Sequence, residues 1–75
     1  MNRERIDHPA HYGSRGGMEC IEAIEAMVGV MPGEAAFAMG NALKYIWRYN
    51  GKGGAEDLRK AIWYIQREID RLEGC

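Results

Sequence analysis

Little in this sequence points to the commonest kinds of catalysis. Ser14 is the single serine among the 75 residues, so a Ser-His-Asp set has only one place to start, and neither that set nor a Cys-His pairing is legible. A G-x-x-x-x-G-K-[ST] run is missing. Gly51-Lys52-Gly53-Gly54 has the wrong spacing for one, and it follows a helical pattern where a phosphate loop follows a strand. Cysteine is scarce as well: Cys20 and Cys75 are far apart and make no disulfide framework, which predicts a reducing compartment. No apolar run approaches the roughly 20 residues needed to span a bilayer, and the polar N-terminal segment has no signal-like apolar stretch, so neither export nor membrane anchoring is expected. Net charge is only −1. No whole-molecule positive field exists to drive non-specific nucleic-acid binding, and any anion has to be captured by a local cluster.

What is present is helical periodicity. A chain with 47% hydrophobic and 28% charged residues has the balance of a folded domain. Residues 1–17 mix charge, two histidines, a proline and three glycines without a 3.6-residue apolar period, and read as an extended N-terminal arm. Residues 18–75 read as a single helical domain, with no strand signal and no internal repeat. The first helix is expected from Glu19 to near Gly29 or Pro32, with Cys20, Ile21, Ile24, Met27, Val28 and Met31 on its apolar side. Pro32 and Gly33 punctuate the connection, and Glu34 complements the dipole of a second helix running from about Gly33 to Asn50. The glycine-rich segment Asn50-Gly51-Lys52-Gly53-Gly54 stops that helix. A third helix follows from Ala55 to Glu73, opened by Glu56 and Asp57. Its stripe of Leu58, Ala61, Ile62, Ile65, Ile69 and Leu72 is expected to pack on the second helix as a hairpin. The fold class predicted is therefore all-α, a three-helix small domain with an N-terminal arm. A chain this short has a marginal core, and the second helix is apolar on most sides, so assembly into a homo-oligomer is expected.

Between Ala35 and Tyr49 the only strongly polar side chains are Asn41, Lys44 and Arg48. Their spacing of i, i+3, i+7 puts them on one face, and Lys52 in the following turn continues the line. Lysine supplies a point charge, arginine a planar fork for bidentate phosphate binding, and asparagine a donor and acceptor suited to a base or ribose. Tyr45 and Phe37 add aromatic surfaces beside them. A plainer reading is that Lys44 and Arg48 pair with Glu22, Glu25 or Asp57 and close the bundle surface. Trp63, beside Arg59, Lys60, Gln66 and Arg67, reads as an interface residue or as a stacking platform. Tyr64 is placed to face the second helix and offer its phenol to the cationic line. Glu19, Glu22 and Glu25, with Glu56 and Asp57, could in principle hold Mg²⁺, but fit better as a solvated acidic face. His8 and His11 with Cys20 fall short of the four ligands of a structural zinc site, and no metal site is expected; an arm contributing His and Tyr12 hydrogen bonds to a pocket is more economical.

The ordered motifs His8-Pro9-x-His11-Tyr12, Glu19-Cys20-Ile21-Glu22-x-Ile24-Glu25-Ala26, Gly40-Asn41-x-x-Lys44-Tyr45-x-x-Arg48 and Asp57-Leu58-x-Lys60-Ala61-x-x-Tyr64 resemble a family of small bacteriophage proteins of unknown function that includes a nucleotide kinase of a T-odd coliphage. The resemblance runs from His8 to about Ile69. It implies nucleotide handling in the cytoplasm of an infected bacterial host, and it draws His8, His11, Tyr12, Asn41, Lys44, Tyr45, Arg48, Asp57, Lys60 and Tyr64 into one set. The expectation is a nucleotide-binding protein that sequesters a phosphorylated, cyclic signalling nucleotide of host antiviral defence, with no cofactor. Lys44, Arg48 and Lys52 would hold phosphates, and Asn41, Tyr45, Tyr12 and an arm histidine would meet the base or ribose. Two alternatives stand beside it. One is a nucleoside monophosphate kinase or Mg²⁺-dependent nucleotide hydrolase using Glu22, Glu25 or Asp57. The other is a protein-binding inhibitor of a host enzyme, using Trp63 and the basic turn.

Overall fold

A computed structural model describes residues 14–74. The first element is a small antiparallel hairpin, β1 (Ser14–Arg15) paired with β2 (Met18–Glu19). Its two-residue turn, Gly16-Gly17, has φ of 58° and 84°, the left-handed backbone that glycine adopts without steric cost and that tight hairpin turns require. The sequence reading contained no strand here, because two-residue strands are too short to show alternation. Residues 1–13, which hold most of the expected arm, lie outside the described residues.

Three helices follow: α1 (Cys20–Val28), α2 (Gly33–Arg48) and α3 (Gly54–Leu72). α2 and α3 match the predicted segments to within two residues at each end, and α1 ends at the earlier of its two expected stops. At the start of α1 the Glu22 carboxylate accepts the Glu19 N–H at 2.8 Å, which is the returning arm of a capping box. Glu22 is thus a capping residue. The connection to α2 is tight, with the Met31 N–H donating to the Val28 carbonyl at 2.9 Å and Pro32 as the N-cap of α2. After α2 the chain reverses through the glycine turn, where Gly54 has φ +55° and donates to the Tyr49 carbonyl at 2.8 Å. Among the described residues, no helix is long and apolar enough to cross a membrane.

The core is made of small side chains. Its buried hydrophobic members are Cys20, Ala35, Ala38, Ala42 and Ala61, so the helix backbones approach closely. Gly40 takes part in the same approach: a Cβ there would lie 3.3 Å from Ile24 Cγ2 and 4.0 Å from Val28 Cγ1 of α1. The face of α1 that packs is accordingly narrower than predicted. Cys20 is buried and Ile24 and Val28 are half-buried, whereas Ile21 and Met27 are exposed.

For α3 the packed face differs from the expected one. Asp57 and Ala61 are buried, and Tyr64 and Glu68 are half-buried, a line at i, i+4, i+7, i+11 that faces α2. Of the predicted apolar stripe only Ala61 belongs to it. Leu58, Ile62, Ile65, Ile69 and Leu72 are 37%, 63%, 37%, 39% and 69% exposed. Those five lie one position along from the buried line, about 100° around the helix. The described residues span 43 × 29 × 19 Å, and with helices about 10 Å across the shortest dimension is two helices thick. Among the described residues, no third layer covers the stripe.

Candidate functional site

The site is built where α2 and α3 face each other. α2 presents Phe37, Asn41, Tyr45 and Arg48 along one side, and α3 answers with Asp57, Lys60 and Tyr64. Tyr64 is the centre of an aromatic group: its ring lies 6.1 Å from that of Tyr45 in a stacked arrangement, 6.0 Å from Phe37 edge-on, and 5.0 Å from Trp63 edge-on. Such geometries complement the ring quadrupoles. Tyr64 therefore does face the second helix. Phe37 is 62% and Trp63 58% exposed, so the outer rings of this group are open to a stacking partner.

Three cations surround the Tyr45 ring. Lys44 Nζ is 4.6 Å from its centroid, Lys60 Nζ 5.4 Å and Arg48 Cζ 5.5 Å, within the range of cation–π attraction. The two lysine ammoniums are consequently within about 10 Å of each other. Among the described residues, no carboxylate forms an ion pair with Lys44 or Lys60.

Arg48 is different. Its Nε donates to Asp57 Oδ2 at 3.0 Å, with the Asp57 side chain 2% exposed and that of Arg48 22%. The same oxygen accepts the Gly53 N–H at 3.0 Å. Gly53 leaves room for this contact: a Cβ there would stand 2.4 Å from the Asp57 carboxylate. The plainer reading of the sequence thus holds for Arg48, whose charge closes the α2–α3 turn. Asp57 is a structural carboxylate, and the described residues hold no group of three or more His, Cys, Asp or Glu side chains arranged to bind a metal ion.

Asn41 is half-buried, and its Nδ2 donates to the Phe37 carbonyl one turn earlier at 2.8 Å. That leaves the Oδ1 acceptor and one N–H of its amide for other contacts. Lys52 stands exposed on the turn, and the ring contacts around Tyr45 do not include it. His8, His11 and Tyr12 lie outside the described residues.

Arg15 was not singled out in the sequence, yet it anchors the hairpin at this end of α2. Its guanidinium donates to the Trp47 carbonyl, one of the last-turn acceptors that a helix leaves open, and lies 5.2 Å from the centroid of the Trp47 ring. The Gly16-Gly17 pair was the available sequence signal. Cys20 sits beneath the same region. Burial pushes its thiol pKa up, and the positive charges of Lys44 and Arg15 pull it partly back, so it behaves as a buried thiol.

A concavity of about 600 Å³ lies at the far end of the α2–α3 seam. Glu34, Phe37, Arg67, Glu68 and Arg71 are among the residues lining it. Its charges are of both signs, and Arg71 is held by Glu68 at 2.7 Å. The hydrogen bond from Arg71 lowers the Glu68 pKa. Net positive charge without a paired carboxylate is found at the Tyr45 end.

No curated protein and no solved structure matches the chain. A family model does match, covering residues 6–66 and thus every element from the hairpin through most of α3. The chain belongs to that family, described as proteins of unknown function, DUF3310.

Proposed function

We propose that this protein binds a phosphorylated nucleotide at the Tyr45 end of the α2–α3 seam and acts by sequestering it. The observation that carries the reading is the placing of Lys44 and Lys60 about one tyrosine ring, with no carboxylate pairing either of them among the described residues. Two ammoniums held near each other repel, and a phosphate between them removes that repulsion while accepting charge-assisted hydrogen bonds. The aromatic group one turn away gives a base somewhere to stack, and the Asn41 amide is within the same face for a base edge or ribose. Arg48 contributes mainly by holding Asp57 and fixing the turn. A binder asks of a site only complementary charge and stacking surface, and those are what α2 and α3 bring together.

The resemblance to small bacteriophage proteins supplies the setting: the cytoplasm of an infected bacterium, where a cyclic signalling nucleotide of antiviral defence is the ligand class whose capture benefits a phage. Calorimetry against a panel of cyclic dinucleotides and cyclic ADP-ribose derivatives tests the reading. Binding is expected for at least one. Lys44→Ala and Lys60→Ala should each weaken it about tenfold to a hundredfold, the worth of a charge-assisted phosphate contact, with helical content unchanged. Rising salt should weaken it further. Absence of heat with every member of the panel would reject the proposal.

A further inference from the structure

The five aliphatic residues that α3 leaves uncovered are spaced 58, 62, 65, 69 and 72, alternating steps of four and three over about 21 Å of helix. That is the a/d pattern of a coiled-coil seam, narrower than the stripe that packs a helix onto a globular core. Their exposures correspond to roughly 450 Å² of aliphatic surface, the size of the largest patch on a typical monomer and about half of one side of a standard interface.

We infer that this stripe is the face on which two copies of the chain pair, with their α3 helices antiparallel. Three observations select a second copy as the occupant. A strict a/d stripe is self-complementary, because knobs from one copy fit holes of the same spacing on another. Residues 1–13 match an aliphatic stripe less well, since Arg3, Glu4, Arg5 and Asp7 interrupt their few apolar side chains. The third is charge. On one edge of the stripe stand Arg59, Gln66 and Glu73, seven residues apart. In the antiparallel register, Arg59 of each copy meets Glu73 of the other and the two Gln66 side chains lie side by side. The same register layers Ile62 against Leu72 and Ile65 against Ile69. A parallel pairing would instead set each of these positions against the opposite edge of the other helix, bringing Glu73 against Glu68 of the other copy. The flanking polar residues supply the remainder of a standard interface.

This inference stands apart from the nucleotide reading, since it concerns a different face and is read by mass. Sedimentation equilibrium of the full chain should give twice the chain mass. The double variant Ile62→Glu/Ile69→Glu should weaken self-association about a hundredfold or more by putting carboxylates into the seam, while retaining the helical circular dichroism of the wild type. If that variant unfolds, Gln66→Cys in a Cys75→Ser background decides the matter. Under mild oxidation it should form a covalent dimer at least about tenfold faster than Arg67→Cys in the same background, because position 67 lies on the opposite side of the helix. A monomeric wild type, a dimer indifferent to the folded Ile62→Glu/Ile69→Glu variant, or equal cross-linking at 66 and 67 overturns the inference.

Discussion

Two faces of α3 lie about 100° apart and differ in composition in the opposite sense to their burial. The face on α2 is Asp57, Ala61, Tyr64 and Glu68, a mixture of carboxylates, one alanine and a phenol, and it is the one buried or half-buried. The other is Leu58, Ile62, Ile65, Ile69 and Leu72, entirely aliphatic and all more than a third exposed. Hydrophobicity alone would have assigned them the other way round. Two features decide the packing within one chain. Small side chains at Ala35, Ala38, Ala42 and Ala61 let the backbones come close, and the Asp57 carboxylate closes the turn by holding both Arg48 and the Gly53 N–H. Aliphatic bulk is left on the neighbouring face, each of its residues more than a third exposed.

The sharpest way to break this contrast is at Asp57. Asp57→Ala removes the buried acceptor of Arg48 and Gly53 and should cost about 3 kcal/mol of unfolding free energy in urea titration, the low end for breaking a buried pair because Arg48 remains partly solvated. Gly53→Ala forces a Cβ into the position of that carboxylate and should cost about 2 kcal/mol by the same measurement, since backbone or Asp57 must shift. Ala61→Leu tests the close approach. Overpacking at a residue 2% exposed should cost about 1–3 kcal/mol, whereas Ile62→Ala on the neighbouring face should change the stability of the isolated subunit by less than about 1 kcal/mol. Equal losses at 61 and 62 would mean that the two faces are not distinct. The smallest effect concerns pH. Hydrogen bonding from Arg71 lowers the folded-state pKa of Glu68, so its stabilising contribution is complete above the ordinary glutamate value of about 4.3 and is lost as pH falls through the lower folded value. The acid-induced drop in melting temperature should be slightly shallower in Glu68→Gln, a small difference because Arg71 is exposed and solvent screens its charge.

The helices were legible because they rest on local signals. Pro32, the glycine cluster from Gly51 to Gly54 and the 3.6-residue period mark their ends to within a turn, and Glu22, Glu56 and Asp57 stand in first turns where carboxylates belong. The hairpin was not, since two residues per strand carry no alternation and its turn glycines look like arm. At the candidate site, the spacing of Lys44 and Arg48 correctly put them on one face of α2. It could not say that Arg48 is held by Asp57 nine residues on, or that Tyr64 slots between Phe37 and Tyr45. Those depend on contacts between elements.

The sequence by itself determined three helices, their breaks and a line of polar residues on an otherwise apolar α2, because propensity, capping and periodicity act within a few residues of chain. Tertiary structure alone decided which face of α3 meets α2 and which cation near Tyr45 is already paired. Periodicity shows which residues share a face, while the steric fit of small side chains and the placing of one buried carboxylate select the face that finds a partner.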